Sequence, residues 1–278
     1  GELILDEGDP FTKLSLEKSI AEIKARRIFR DVKYEVADGS KKNLKVINIS
    51  VEEQPTGEIS AGAGVGSSGG TLAFNIQENN WLGEGKIVGL DLEIDEESLQ
   101  GTLRYTNPNY DFLGNSINYS VSSQKNDKPD QGYENKLITF GAGTSFEQYK
   151  DIYTNLSLNF SYDDLRTNSN ASASLQKQDG DFTELAAVYG LTYDKRNRTF
   201  MPTDGSVFGF VQSLPIYADK PFIDNTFRFS TYHEFNENYV GSGKIFLSAI
   251  NGLNDEDVRL SKRKTLSTRR LRGFSKGK

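Results

Sequence analysis

The sequence contains no cysteine, and its single histidine is His233. The absence of cysteine excludes disulfide bonds, thiolate nucleophiles and cysteine metal sites together. One histidine is too few for a histidine metal cluster or a histidine dyad. The sequence therefore predicts no metal site, no cofactor and no catalytic residues, and we expect a protein that is not an enzyme.

Long apolar runs are also absent. No stretch reaches the length of about 18 apolar residues that a transmembrane helix needs. The chain starts at Gly1 without a methionine or a signal segment and stops at Lys278 inside a basic stretch. We interpret it as an internal fragment of a longer protein.

The balance of charge excludes one class of partner. Asp and Glu number 39 against 33 Lys and Arg, giving a net charge of -6. A negative chain does not coat nucleic acid with its surface, so we expect no nucleic-acid partner.

Aromatic residues are plentiful although only 36% of the chain is hydrophobic. Disordered chains are poor in aromatics, so this chain is expected to fold. A membrane β-barrel, polar towards its lumen and apolar only in an outer band, would have this composition.

The first fifty residues show a helical period followed by two strands. Leu16, Ile20 and Ile23 have helical spacing and predict an amphipathic helix over residues 15–27. Alternation then predicts strands around residues 32–36 and 44–51, separated by the Asp38-Gly39 turn. One helix on one hairpin is a small core, which indicates the latter part of an α/β domain.

Period-two alternation dominates the rest of the chain. In residues 152–162 one face carries Ile, Leu, Phe and Tyr, and the other carries Asn and Ser. Eleven such segments occur, at 58–66, 70–79, 85–96, 98–107, 114–125, 134–147, 152–164, 181–194, 206–214, 222–235 and 239–251.

Alternation alone fits either a soluble β-protein or a membrane barrel. Small, glycine-rich polar faces, aromatic residues at the strand ends and the lack of covering helices favour the barrel. Long connections over 124–133, 165–181 and after residue 252 are predicted at the outer end of the strands. The connection 214–222 is predicted at the periplasmic end.

Three local patterns have more ordinary interpretations. Gly62, Gly64, Gly66 and Gly69 imitate a dinucleotide fingerprint, but a strand rather than a helix is predicted after them. Asp163-Asp164 lacks the spacing of a calcium loop and is interpreted as a pair of solvated loop carboxylates. The basic stretch 262–270 fits an outer loop facing anionic lipid or a loop folded into a polar lumen, and both remain open.

Four motifs occur in order along the chain. They are the segment 51–58, Asn80-Trp81-Leu82-Gly83, the turn 200–206, and Leu271-Arg272-Gly273-Phe274. Together they resemble the BamA family, whose members are central subunits of the bacterial outer-membrane barrel assembly machinery. Leu271 stands where that family usually has valine.

The resemblance implies a mostly β fold with two parts. Residues 1–54 would be the C-terminal part of the last POTRA domain, an α/β domain. Residues 55–278 would be the N-terminal part of an antiparallel transmembrane β-barrel, about eleven of sixteen strands, ending in the sixth extracellular loop. The barrel would lie in the cell outer membrane of a Gram-negative bacterium, with the POTRA part in the periplasm.

The resemblance also implies a mechanism and partners. An incoming strand needs a template for its unpaired backbone groups, so the first barrel strand would form a lateral gate. Expected partners are unfolded outer-membrane protein clients, periplasmic chaperones, assembly-machinery lipoproteins and outer-membrane lipid. The gate residues would be Glu58, Ile59, Ser60, Ala61, Gly62, Ala63, Gly64, Val65 and Gly66.

Two further sites follow from the same resemblance. Arg272 would fold into the lumen and meet carboxylates of later strands beyond Lys278, either as an anchor of the loop or in gating. Val32, Tyr34 and Val36 would form a POTRA edge strand that binds extended polypeptide, or would be a plain structural strand.

Two other classes of function remain open. A polypeptide-transporting relative, such as a two-partner secretion channel or a TamA-like translocase, would share the arginine-glycine loop. An outer-membrane phospholipase would need a serine–histidine pair, which His233 alone supports poorly.

Overall fold

A computed structural model describes residues 5, 7–25, 28–41, 44–66, 69–111, 113–129, 132–169 and 171–264. The predicted loop motif, Leu271 to Phe274, lies outside these residues. The described chain contains two antiparallel sheets, one of two strands and one of eleven.

The small sheet is covered by one helix. Helix α1 spans Lys13–Ala25, β1 spans Phe29–Asp38 and β2 spans Lys45–Glu53. The backbone N–H of Ser15 donates to the Thr12 hydroxyl oxygen at 3.1 Å, a side-chain bond at the helix start. The buried core of this unit consists of Leu16, Ile20, Ile23 and Val32.

The large sheet is built by consecutive strands. Their bounds are β3 Gly57–Gly66, β4 Gly69–Trp81, β5 Lys86–Asp95, β6 Ser98–Asn107, β7 Ser116–Lys128, β8 Tyr133–Tyr149, β9 Ile152–Thr167, β10 Gly180–Asp194, β11 Gly205–Ala218, β12 Phe222–Asn236 and β13 Tyr239–Gly252. Each strand pairs with its sequence neighbours in an unbroken order from β3 to β13. The prediction of a mostly β chain with eleven alternating strands is confirmed.

Two short helices accompany this sheet. Helix α2 spans Ala173–Gln176 in the connection between β9 and β10, and a 3-10 helix spans Leu260–Lys262 after β13. Within the described ranges, no helix has both the length and the apolar character needed to cross a membrane.

The strand register aligns apolar residues into rows across the sheet. One row, taken strand by strand from β3 to β10, contains Ile59, Ile76, Leu90, Leu103, Val121, Phe140, Phe160 and Leu185. The adjacent row on the other face contains Ser60, Asn75, Asp91, Thr102, Ser122, Thr139, Ser161 and Glu184. Because successive side chains in a strand point to opposite faces, one face of the sheet is apolar and the other polar.

The apolar face is the exposed one. Ile76, Leu103 and Phe140 are 51%, 52% and 49% exposed. In a soluble sandwich such a face would be buried against a second layer. The arrangement is the one a barrel presents to membrane hydrocarbon.

The positions of the connections correct one expectation. Strand β11 continues to Ala218, and its connection to β12 covers only residues 219–221. Since strands alternate in direction, this connection lies at the same end as residues 168–179 and the segment after β13. The prediction that 214–222 belongs to the opposite, periplasmic end was wrong, because strand parity decides the end and connection length does not.

Candidate functional site

Strand β3 occupies one end of the eleven-stranded order. One of its edges pairs with β4, and no described strand pairs with its other edge. Two of its apolar side chains are almost free of contacts, with Ile59 82% and Val65 94% exposed. Among the described strands, none satisfies the backbone donors and acceptors along this edge.

Glycines leave β3 thinly packed. A Cβ atom added at Gly62 or at Gly64 would meet nothing within 4 Å. The chain continues from β3 into another strand, β4, which begins at Gly69. A dinucleotide site needs a helix at that point, so these glycines belong to a sheet edge and not to a phosphate-binding turn.

The predicted edge strand of the small sheet is β1. It pairs with β2 along one side, where Val32 is opposite Val51 and Tyr34 is opposite Ile49. Val32 is buried against the helix, whereas Tyr34 and Val36 are 37% and 40% exposed. The three predicted residues therefore lie on one strand but differ in environment.

The segment after β13, residues 253–264, is called the root segment here. It leads towards the loop motif and lies over the polar face of the large sheet. Leu253 N–H donates to the Pro221 carbonyl at 2.9 Å, and Lys264 forms an ion pair with Asp224. Of the two interpretations left open for the basic stretch, the described part, Lys262 to Lys264, fits the one in which it folds onto the polar side.

Arg259 in the root segment is the centre of a buried ionic cluster. Its guanidinium is 1% exposed and lies 2.8 Å from Glu184 Oε2 and 3.6 Å from Asp163 Oδ2. Those carboxylates come from the neighbouring strands β10 and β9. Lys262 Nζ adds a second cation at 3.4 Å from Glu184 Oε2.

Neutral groups form hydrogen bonds with Asp163 and with the backbone of the root segment. Asn135 donates to Asp163 Oδ1 at 2.7 Å, and the Ser261 hydroxyl donates to Asp163 Oδ2. Gln178 accepts the backbone N–H of Leu260 at 2.9 Å. The cations Arg259 and Lys262 balance the charges of Asp163 and Glu184, and the hydrogen bonds lower the cost of burying the cluster further.

An apolar cluster lies beside the ionic one. Tyr133, Leu165 and Phe182 are buried together, and Leu260 of the root segment packs against them. The Arg259 guanidinium lies 5.1 Å from the Phe182 ring centroid, within the range of a cation–π contact. The root segment is thus held by charge, hydrogen bonds and apolar packing together.

The sequence analysis missed this cluster. Asp163 was interpreted as a solvated loop carboxylate, but it lies within β9 and is 0% exposed. Asp163 is two residues after Ser161 on β9 and so points to the same face. Ser161 is opposite Glu184 on β10, so Asp163 and Glu184 both lie on the polar face. An acidic residue on the polar face of each of two consecutive predicted strands is the signal in the sequence that points to a cationic partner.

The turn between β10 and β11 is rigidly braced. Asn197 donates to Thr203 Oγ1 at 2.8 Å, and Arg196 Nε donates to Asp194 Oδ1 at 2.9 Å. Lys195 bonds Asp151 of the neighbouring turn, and this hydrogen bond is the main cause of a raised pKa of the Lys195 ammonium. These bonds brace the β10–β11 turn, which contains the predicted turn 200–206, and connect it to the β8–β9 turn at the same end of the sheet.

The search for metal ligands in the described residues gives no candidate. No group of three His, Asp or Glu side chains there could hold an ion. His233 is 70% exposed, with its Nδ1 3.6 Å from Asp204 Oδ1.

An exposed apolar face, a polar face that buries an ionic cluster and a regular antiparallel order define the class of outer-membrane-type β-barrels. The Omp85 superfamily domain matches residues 80–278. The chain belongs to the Omp85 superfamily.

Curated relatives give the same family. The chain is 24% identical over 270 residues to an outer membrane protein assembly factor BamA from Nitratidesulfovibrio vulgaris, covering 92% of this chain and 33% of the relative. It is 26% identical over 146 residues to BamA from Neisseria meningitidis, covering 52% of this chain and 17% of that protein. The chain thus spans at most a third of the length of these relatives, which are named as assembly factors and not as enzymes.

Solved structures share the fold. The crystal structure of BamA from Haemophilus ducreyi lacking POTRA domains 1-3 superimposes with a TM-score of 0.82 at 21% identity, covering 94% of this chain and 53% of that one. CdiB from Acinetobacter baumannii gives a TM-score of 0.52 at 10% identity, covering 91% and 49%. At these identities the likeness establishes the fold alone.

Proposed function

We propose that this chain is part of an outer-membrane protein assembly and insertion factor whose β3 strand forms a lateral gate. Clients would be unfolded outer-membrane β-barrel proteins. The observation that carries the proposal is the sparse, glycine-rich packing of β3, the first strand of a sheet whose apolar face is exposed. The names of the curated relatives support it.

The physical reason concerns unpaired backbone groups. Each N–H and C=O of a client strand that enters hydrocarbon unsatisfied costs several kcal/mol. The edge of β3 that faces away from β4 would offer those groups partners without breaking the β3–β4 ladder. With nothing packed around Gly62 and Gly64, movement of this strand costs little side-chain contact.

The other proposed assignments complete this function. Residues 1–54 would be the end of a periplasmic POTRA domain, and 55–278 would lie in the outer membrane. Strand β1, with Val32, Tyr34 and Val36, would bind extended client segments by strand addition. Periplasmic chaperones and assembly lipoproteins would dock in the periplasm, and Leu271 to Phe274 would enter the lumen.

Depletion and complementation in a Gram-negative host would test this function. The full-length protein should restore porin assembly. A disulfide between introduced cysteines on β3 and the last strand of the barrel should abolish rescue, and reduction should restore it. The same two cysteines kept reduced are the matched control. Normal assembly with the gate locked would contradict the lateral-gate mechanism.

A second candidate function is that of a polypeptide-transporting relative. The observation that favours it is the fold likeness to CdiB. The same complementation separates the two functions. A transporter would export a passenger protein and leave porin assembly unrestored, whereas an assembly factor would do the reverse.

A further inference from the structure

We infer that Arg259 is a positioning residue that anchors the root segment to β9 and β10 and so restricts where the chain beyond it can reach. The cluster of Arg259, Asp163 and Glu184 carries this inference. The link to assembly rests on the proposed function, whereas the anchoring itself does not.

The geometry shows why the cluster acts as an anchor. Asp163 and Glu184 belong to adjacent strands, and Arg259 lies between them with one nitrogen 2.8 Å from Glu184. If the root segment left, Asp163 and Glu184 would lose their main cation, and Asp163 would also lose the hydrogen bond from Ser261. Departure is therefore opposed by the loss of two ion pairs and a hydrogen bond at once.

The contacts that follow Arg259 along the root segment also hold it to the sheet. Leu260 packs on Tyr133, Leu165 and Phe182, and Lys264 pairs with Asp224. Arg259 Nε and Nη1 are buried and make no hydrogen bond to the described residues. The guanidinium is thus held by charge and by stacking on Phe182 more than by a full set of hydrogen bonds.

The anchor fixes a point on the chain that is nearer to Leu271 in sequence than the end of β13 is. From the end of β13 at Gly252, a free segment to Leu271 could span about 65 Å, at roughly 3.4 Å per residue. From Lys264 the corresponding reach is about 25 Å. Confinement of a tethered group within a shorter reach raises its effective concentration at a nearby site.

Distance measurements between two spin labels test the anchoring in the purified full-length protein. This chain has no cysteine, so labels on Asp257→Cys in the root segment and Lys150→Cys at the opposite end are specific within it. The parent protein should give a narrow distance distribution, and Arg259→Gln should broaden it. Arg263→Gln is the matched control, because Arg263 is exposed in the same segment and should leave the distribution narrow.

A second variant covers the case in which Arg259→Gln does not fold. Arg259→Gln with Glu184→Gln removes the unpaired Glu184 charge and should fold with the root segment released. A narrow distribution in either folded variant overturns the inference. Failure of both to fold also overturns it, because the cluster would then be required for folding.

Assembly measured on the same variants separates the inference from the proposed function. If Arg259→Gln releases the root segment but neither the parent protein nor any variant restores porin assembly, the proposed function alone is contradicted. A fixed root segment in Arg259→Gln contradicts the anchoring alone. Slower assembly by Arg259→Gln, with unchanged assembly by Arg263→Gln, supports both.

Discussion

At Gly205 the backbone leaves no space for a side chain. Its φ is +92°, and an added Cβ would lie 2.1 Å from the Lys195 carbonyl oxygen. Gly205 is the first residue of β11 and directly follows the braced turn, so a substitution there would disturb both the strand and the turn. The restriction is one of backbone geometry and sterics, which glycine alone relieves.

Gly205→Ala should therefore destabilise the folded protein by at least ~2 kcal/mol. Gly209→Ala on the same strand is the matched control, because a Cβ there would meet nothing within 4 Å. Urea unfolding of detergent-solubilised full-length protein, followed by tryptophan fluorescence, measures the difference. Equal midpoints for the two variants would refute the steric argument.

Ionic residues show the limit of local sequence patterns. Asp163 and Asp164 are neighbours in sequence, yet Asp163 is fully buried near Arg259 while Asp164 lies on the other face, 2.8 Å from Arg166. Alternation alone predicts that they point to opposite faces. Which cation meets each one depends on strands that the sequence does not align by itself.

At the level of elements, strand interiors were predicted well and strand ends less well. The segment 206–214 was predicted to end before Pro215, but β11 runs on to Ala218. Pro215 lies at an irregularity of the β10–β11 register, where no ladder N–H is required from it. A proline at a bulge cannot be told from a strand terminator without the partner strand.

Strand β3 provides a prediction about the gate. Gly64→Val adds a β-branched side chain in open space and should stabilise the strand conformation of β3 by about 0.5–1 kcal/mol. Under the proposed function, folding should be preserved while client assembly slows. The rate of porin assembly in the complemented host gives the readout.

The control for that change is Gly209→Val, because Gly209 also lies in open space but in β11, within the sheet. Slow assembly confined to Gly64→Val is expected. If both variants slowed assembly equally, the effect would not belong to the gate strand.

The connection between β9 and β10 provides a prediction about pH. The pKa of Asp179 is lowered, mainly because Thr167 N–H donates to its carboxylate at 2.8 Å. Since the folded-state pKa lies below the unfolded value near 3.9, the stabilisation is present above that value and is lost as pH falls through the folded pKa. Residues 168–179 should therefore lose protection in acid.

Proteolysis of this connection by pepsin across the acidic range tests the expectation. Pepsin should cleave the Asp179→Asn variant readily even at the upper end of that range, and the cleavage rate should depend less on pH than in the parent protein. Asp257→Asn, an exposed carboxylate in the root segment, should behave as the parent protein does. A parent profile without a rise in cleavage at low pH would contradict the role of Asp179.

On the scale of the whole molecule, eleven antiparallel strands separate two sets of connections. Residues 150–151 lie at one end, and residues 168–179 and the root segment lie at the other. Strand β9 between them has 16 residues, long enough to cross a bilayer when tilted. Under the proposed location, the two ends face opposite sides of the outer membrane.

Cysteine labelling in intact cells checks this orientation. Ser169→Cys should react with a membrane-impermeant maleimide in intact cells, and Lys150→Cys should react only after the outer membrane is permeabilised. The parent chain, which has no cysteine, provides the background. Equal labelling of both positions before permeabilisation would contradict the transmembrane arrangement.

The sequence by itself determined the eleven strands and their two faces, because period-two alternation is a local property that each segment carries alone. It also carried the motifs that indicated the superfamily. Tertiary structure decided the exposure of the apolar face and the partners of Arg259. Those partners, Glu184 and Asp163, lie 75 and 96 residues away, so only the strand register brings them within reach of one guanidinium.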